Sequence, residues 1–128
     1  MGLGFMKRLS EEQIALVAGR SRALGDPTRV RIAMALERGA QSVGQLAEAL
    51  GSQQSTVSKH LQVLFHAGLV QRRREASAVI YWLSAPQVAE WCRYLGARHL
   101  QRPGAGQPHR MDSARATDEK RSSQRTSH

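Results

Sequence analysis

The order of helix caps and turn residues between positions 24 and 83 is the feature that most restricts the fold of this chain. Two short helical patterns meet at Gly51, and a hairpin pattern that carries Arg72, Arg73 and Arg74 follows them. A helix-turn-helix followed by a basic β-ribbon is the arrangement with which small proteins place one helix in the major groove of DNA and an arm beside it. We therefore expect a mainly α fold with a small β-hairpin, of the winged helix-turn-helix type.

Capping residues predict where the first two helices begin. Ser10 precedes two acidic residues, which the helix dipole favours in a first turn, and this predicts a helix over 11–23. Asp26 followed by Pro27 is a second start signal, because Asp accepts hydrogen bonds from free backbone amides and Pro has no amide hydrogen to leave unsatisfied. The second helix should run to about Arg38 and present apolar residues on two sides, as a helix enclosed by the fold does.

The next two helices form the predicted helix-turn-helix. Ser42 and Gln45 have the spacing of a capping box and predict a short helix that ends at Gly51. Ser52 is expected to cap the following helix, which should end at Gly68. The apolar positions of that helix follow the 3.6-residue period and are Val57, Leu61, Leu64 and Phe65.

The opposite face of this last helix is polar, and it is the surface that we expect to enter the major groove. Six candidates for DNA contact lie at its N-terminal end: Gln53, Gln54, Ser55, Thr56, Ser58 and Lys59. Gln can pair with adenine, Lys with guanine, and Ser or Thr with phosphate or base edges. The alternative is an ordinary solvated helix surface. His60 lies toward the apolar side and is expected to be partly buried, with a structural role.

Residues 70–83 predict the wing, because a β-branched and aromatic strand can pair there with a basic strand across a turn near 75–77. Side chains alternate along a strand, so Arg72 and Arg74 should point to one face and Arg73 to the other. We expect at least one of the three to serve folding or solubility and the rest to contact phosphate.

Length and composition exclude several classes of protein. The 128 residues suit one compact domain, and no run approaches the roughly 18 to 20 apolar residues that span a membrane. The first residues lack the apolar core of a signal peptide, so we expect a cytoplasmic protein with no membrane partner. The single cysteine, Cys92, excludes a disulfide within the chain and a four-thiolate zinc site within one subunit. Without a Gly-rich phosphate loop, paired carboxylates or a Ser-His-Asp set, we expect neither an enzyme nor a cofactor.

The formal net charge of +9 favours polyanionic partners such as double-stranded DNA. Residues 52–74 hold only basic charges and no acid, whereas a merely solvated surface mixes both signs. Residues 103–128 lack Val, Ile, Leu and aromatic residues, and we expect them to form a disordered basic tail. The expected organisation is a flexible N-terminus at 1–9, a winged helix-turn-helix domain at 10–102 and that tail.

Three segments in this order resemble the ArsR/SmtB family of bacterial winged-helix repressors. They are Ala-Leu-Gly-Asp-Pro-Thr-Arg at 23–29, Ser-Thr-Val-Ser-Lys-His-Leu at 55–61, and Leu64 with Ala-Gly-Leu-Val at 67–70. The resemblance covers about residues 10–100. It implies a homodimer built from the first and last helices, a recognition helix at about 54–67, a hairpin wing, and repression that an inducer relieves.

The departures from this family concern its metal sites and the wing tip. Members that sense arsenic or cadmium have a cysteine pair on the helix that here spans 43–50, and that segment has no cysteine. Zinc-sensing members use four ligands near the two ends of the last helix, of which the segments 83–88 and 97–101 hold at best one. We therefore expect no metal at either family site. Ala76 and Ser77 stand at the wing tip, where the family often has Gly and a basic residue, which puts the depth of a minor-groove contact in question.

The last helix, expected to start near Pro86, offers a candidate sensor in Cys92 and His99. They lie about 10 Å apart along one helix, too far to share a metal within a subunit. In an antiparallel dimer with its dyad near residues 95–96, Cys92 would instead face His99 of a second copy. The simpler alternative is that Cys92 is a small apolar residue in the interface. The inducer could be an organic molecule, a redox event at Cys92 or a metal shared between subunits, and a constitutive binder also remains open.

These observations predict a dimeric, sequence-specific DNA-binding repressor that recognises a pseudo-palindromic operator. The alternative is a winged-helix interaction module whose basic face binds a protein or RNA.

Overall fold

The computed structural model describes residues 8–97, which form five helices and a three-stranded antiparallel sheet. In chain order the elements are α1 (Glu11–Ala23), α2 (Pro27–Leu36), β1 (Gln41–Ser42), α3 (Val43–Leu50), α4 (Gln54–His66), β2 (Val70–Glu75), β3 (Ala78–Leu83) and α5 (Gln87–Leu95). The mainly α winged helix-turn-helix expected from the sequence is therefore confirmed.

The first two helices begin at the predicted caps. The Ser10 hydroxyl accepts a hydrogen bond from the Gln13 backbone amide at 3.0 Å, and a carboxylate oxygen of Asp26 accepts from the amides of Thr28 and Arg29. α2 ends at Leu36, two residues before the predicted end, because the following amides bond to carbonyls three residues back rather than four. That pattern tightens the last turn and closes the helix early.

The turn between α3 and α4 contains one correction. Ser42 forms the predicted capping box with Gln45, and Gly51 ends α3 at a φ of 65°, in the left-handed region that favours glycine. Ser52, however, does not cap α4. Its backbone amide donates to the Ala47 carbonyl at 3.0 Å, so Ser52 completes the C-terminal cap of α3, and the residue that precedes α4 is Gln53.

The sheet contains a strand that the sequence did not predict. β1 pairs with β3 through Gln41 opposite Tyr81 and Ser42 opposite Ile80, so the strand order is β1-β3-β2. The hairpin itself is confirmed, with Val70 opposite Leu83 and a turn at Ala76 and Ser77. The wing is therefore part of a small sheet and joins the chain immediately before α3.

One apolar core lies between the helices and the sheet. Its buried side chains include Ile32 of α2, Leu46 of α3, Leu61 and Leu64 of α4 and Tyr81 of β3. Leu61 and Leu64 have no exposed surface, so α4 is anchored by the face that its period predicted. The polar face of α4 is thereby held outward.

The described residues fall into two units, 8–92 and 93–97. The flexible start expected at residues 1–9 lies almost wholly outside the described residues, and His99 and the expected tail at 103–128 lie outside them entirely. None of the helices within 8–97 is long and apolar enough to cross a membrane.

Candidate nucleic-acid interface

α4 presents its polar residues as predicted. Gln53, Gln54, Ser55, Thr56 and Lys59 are exposed and Ser58 is half-buried. No acid lies between residues 52 and 74, so this segment contains no carboxylate that would repel DNA. Such groups can donate to phosphate oxygens and can bind base edges. Their contact with DNA stays a prediction.

A polar network joins α4 to the turn before α2. Arg29 donates through Nε to the Ala23 carbonyl at 2.6 Å, and its Nη1 lies 3.2 Å from Nδ1 of His60. The same His60 nitrogen lies 3.9 Å from a carboxylate oxygen of Asp26. His60 is thus half-buried, as expected, and it connects α4 to the end of α1 and the start of α2.

Asp26 titrates abnormally because of this network. Desolvation by itself would raise the pKa of Asp26, but it is outweighed by backbone hydrogen bonds from Arg29 and Thr28 and by the charges of His60 and Arg29. The result is a pKa below the ordinary value of 3.8. Asp26 therefore stays ionised and continues to cap α2 at neutral pH.

The wing arginines have different surroundings. The guanidinium carbon of Arg72 lies 3.9 Å from the centre of the Phe65 ring on α4, and its Nη1 donates to the Tyr81 hydroxyl at 3.4 Å. A cation over an aromatic face stabilises the packing of β2 on α4. Arg72 is therefore a wing arginine that contributes to packing within the domain. Contact of the other two arginines with phosphate stays a prediction.

Arg73 and Arg74 do not share the contact with Phe65 and Tyr81. Arg73 donates through Nε to a carboxylate oxygen of Glu75 at 3.0 Å and lies 5.4 Å from the Trp82 ring, on the opposite face of β2 from Arg72. Arg74 lies opposite Val79 and has no ion-pair or hydrogen-bond partner for its side chain within residues 8–97. Its guanidinium is therefore available for an outside anion.

Two clefts bring the α4 face and the wing together. One, of about 490 Å³, places Ser55 and Ser58 beside the wing-tip residues Ser77 and Ala78. The other, of about 390 Å³, is lined by Ser58 and Gln62 of α4 and by the wing arginines Arg72, Arg73 and Arg74. Ser58 lines both clefts, so the polar face of α4 and the basic wing form one continuous surface.

Two further residues of the α4 surface were not among the predicted contacts. Gln62 and His66 are both exposed, and Nδ1 of His66 lies 2.8 Å from the Gln62 carbonyl, an acceptor to which the ring nitrogen donates. Both positions fall on the predicted outer face of the helix. The helical period was the signal that could have included them.

The candidate sensor is described only in part. Cys92 is half-buried and packs against the core, and His99 lies outside the described residues. Over residues 8–97 there is no group of three or more His, Cys, Asp or Glu side chains that could hold a metal ion.

Comparison with known proteins places this geometry in a family. Residues 26–72 match the model of the ArsR family of bacterial regulatory proteins. A biofilm growth-associated repressor of Agrobacterium fabrum is 39% identical over 91 residues, which cover 71% of this chain and 74% of that protein. The chain belongs to the ArsR family. A second ArsR-type relative, the transcriptional regulator NmtR of Mycobacterium tuberculosis, is 39% identical over 82 residues, or 64% of this chain and 68% of the relative.

A solved structure agrees with the ArsR fold. The homodimeric winged helix-turn-helix DNA-binding domain from Mycobacterium bovis, determined by NMR, is 26% identical and covers 81% of this chain and 99% of its own, with a TM-score of 0.63. The two relatives are named as a repressor and a transcriptional regulator, and this ArsR protein shares the winged helix-turn-helix of the Mycobacterium bovis domain.

Proposed function

We propose that this protein is a transcriptional repressor that binds a pseudo-palindromic DNA operator as a homodimer and is released by an inducer. α4 would enter the major groove, and the wing would contact the phosphate backbone beside it. Base recognition would fall to Gln54, Ser55, Ser58 and Lys59. A protein of this kind acts on DNA in the cytoplasm.

One observation carries the proposal: the polar face of α4 lines one cleft with the wing tip and an adjoining cleft with the wing arginines, with no acid between residues 52 and 74. A helix with its side chains is about 10 to 12 Å across and matches the width of the major groove. Since Leu61 and Leu64 are fully buried, the face that remains for DNA is the polar one.

The homodimer is supported by exposed apolar residues on α1. Ile14, Leu16 and Val17 each expose nearly half of their surface, and Trp91 of α5 is also exposed. Apolar groups gathered on one helix are typical of a surface that another chain covers. The similar Mycobacterium bovis domain is homodimeric. Two-fold symmetry of the protein would require an operator with the same symmetry.

The inducer acts at a site other than the cysteine pair of arsenic-sensing and cadmium-sensing relatives, because α3 has no cysteine. An organic ligand, oxidation of Cys92, or a metal held by Cys92 and His99 of two subunits are the three candidate signals. The packing of Cys92 against the core supports its role as a small apolar residue. An unchanged response to inducer in Cys92→Ser would eliminate both thiol mechanisms.

Selection of bound sites from random duplex DNA tests the function directly. The purified full chain is used at about 150 mM salt, with and without a thiol reductant. Enrichment of an inverted repeat is the expected result, and loss of enrichment on oxidation would identify a redox inducer. Recovery of no motif, with binding that disappears as salt rises, would overturn sequence-specific binding.

Lys59→Ala tests whether α4 is the recognition helix. If Lys59 binds a base, affinity for the selected operator should fall by on the order of 1 to 3 kcal/mol for each subunit bound. If it binds a phosphate, the slope of log affinity against log salt should fall by about one for each subunit bound. Arg8→Ala removes the same charge just before α1 and serves as the matched control. If Lys59→Ala and Arg8→Ala bind with the same affinity and the same salt slope, α4 is not the recognition helix.

A protein-binding or RNA-binding module is the alternative function. The basic wing would suit a protein or an RNA, but a module that binds either of them is not expected to recognise an inverted DNA repeat. The same selection experiment therefore separates the two functions.

A further inference from the structure

We propose that Arg22, at the end of α1, contacts the DNA phosphate backbone on the side of α4 away from the wing. The recognition helix would then be flanked by phosphate contacts on both sides, from Arg22 on one side and from the wing on the other. This inference rests on the proposed function and adds to it a binding residue outside the helix-turn-helix and the wing.

A third cleft, of about 860 Å³, lies between α1 and α4. Four of its lining side chains are basic and come from three helices: Arg22 of α1, Arg29 of α2, and Lys59 and His66 of α4. The lining also includes Gly19, which has no side chain, and Ala67, whose side chain is a single methyl group, so neither fills the cleft. The cleft is a concave surface with basic side chains from α1 on one side and from α4 on the other.

This cleft lies on the flank of α4 that is opposite to the wing. Gln62 lines it and also lines the cleft that holds the wing arginines. The exposed face of α4 therefore has basic groups on both of its flanks, Arg22 on one and Arg74 on the other. The major groove is bordered by the phosphates of two strands, so a helix that fills the groove brings its two flanks toward different strands.

The side chain of Arg22 is available for an outside anion. It is exposed, and within residues 8–97 its guanidinium has no ion-pair or hydrogen-bond partner. Arg29, the other arginine of the cleft, is already bonded to the Ala23 carbonyl and lies beside His60. The acids of α1, Glu11 and Glu12, are in its first turn, at the opposite end of the helix. A phosphate is thus the anion that Arg22 can meet.

The test measures binding of the selected operator and of an unrelated duplex by fluorescence anisotropy, between about 50 and 200 mM salt. Arg22→Ala should lower the salt slope by about one for each subunit bound, and near physiological salt it should weaken binding by about fivefold for each phosphate that is no longer neutralised. Because phosphate carries no sequence information, both duplexes should be weakened equally. Arg22→Lys should restore most of the slope, since it keeps the charge.

Arg8→Ala is the matched control, since it removes one positive charge about 20 Å away along α1. Equal salt slopes in Arg22→Ala and Arg8→Ala would overturn the inference, and so would a weakening confined to the operator, which would indicate a base contact. Thermal unfolding of each variant checks that the fold is retained. If the unmodified protein selects no DNA motif, the proposed function itself fails, and the two failures are thereby distinguished.

Discussion

Arg72 and Arg74 lie on the same face of β2, yet of the two only Arg72 has side-chain contacts within the described part of the domain. The Arg72 guanidinium packs on Phe65 and bonds to Tyr81, whereas Arg74 has no partner for its side chain among the described residues. Neighbouring residues of one type can therefore divide between folding and binding, and the division depends on what lies opposite each side chain.

Arg72→Gln and Arg74→Gln should separate these roles. We expect Arg72→Gln to reduce the free energy of unfolding by about 0.5 to 1 kcal/mol, the usual value of an exposed cation–aromatic contact. Arg74→Gln should leave stability unchanged and weaken DNA binding. Urea unfolding and fluorescence anisotropy measure the two effects, and equal destabilisation by both changes would contradict the assignment.

Asp26 gives the domain a pH dependence of known sign. Its pKa is lower in the folded protein than the ordinary value of 3.8, so the stability that its charge contributes is present above about pH 4 and is lost as the pH falls through the lowered pKa. Asp26→Asn keeps a good helix cap but cannot ionise. The difference in melting temperature between the wild type and Asp26→Asn should therefore be largest above pH 4 and vanish in stronger acid. A difference that stays constant from neutral pH to acid would show that the carboxylate charge contributes nothing.

At the scale of elements, the wing turn holds an alanine in a backbone conformation that suits glycine. Ala76 has a φ of 55°, and a side chain in the left-handed region costs about 1 to 2 kcal/mol. Ala76→Gly should raise the free energy of unfolding by about 1 kcal/mol, after allowance for the greater freedom of Gly in the unfolded chain. Ser77→Gly, at the other turn position, has no such conformation to relieve and should not stabilise. Chemical unfolding of the pair provides the measurement, and an equal gain from both would exclude the backbone explanation.

The sequence predicted those elements whose ends carry local signals. Ser10, Asp26, Ser42 and Gly51 each satisfy or terminate backbone hydrogen bonds within a few residues, so their effects can be inferred from spacing. β1 was missed because its two residues are a strand only through pairing with β3, far along the chain. Ser52 was misassigned because its amide closes α3, and a serine in that position resembles a cap of the next helix.

In the candidate site, too, some features follow from local sequence patterns and others depend on tertiary packing. The polar face of α4 follows from the helical period, and it was predicted. The packing of Arg72 on Phe65 depends on how β2 folds back onto α4, and the approach of Arg22 to α4 depends on packing between elements that are distant in sequence. No local pattern indicates either of them.

At the scale of the whole molecule, the exposed apolar side of α1 should decide whether the protein binds an operator. Val17 is 49% exposed, and Val17→Asp would place a charge in the proposed interface between two copies. We expect this change to convert a dimer to a monomer in analytical ultracentrifugation and to abolish tight operator binding, because the two half-sites would no longer be bound together.

Ala15→Asp adds the same charge about 160 degrees away around the helix and is the control for Val17→Asp. It should leave the dimer intact. A monomeric wild type, or dissociation by both changes, would contradict an interface on this side of α1.

The pairing of β1 with β3 has a consequence for the length of DNA that each subunit covers. β1 leads directly into α3, and Arg72 of β2 packs on Phe65 of α4, so the wing is fastened at two points to the body that carries α4. The hairpin cannot swing as a free arm without breaking these contacts. Each subunit should therefore bind as a rigid body, with a constant number of base pairs between the contacts of α4 and those of the wing. Variation in length among natural operators should then be confined to the spacer between half-sites. An inducer should move α4 and the wing away from DNA together, without changing the distance between them.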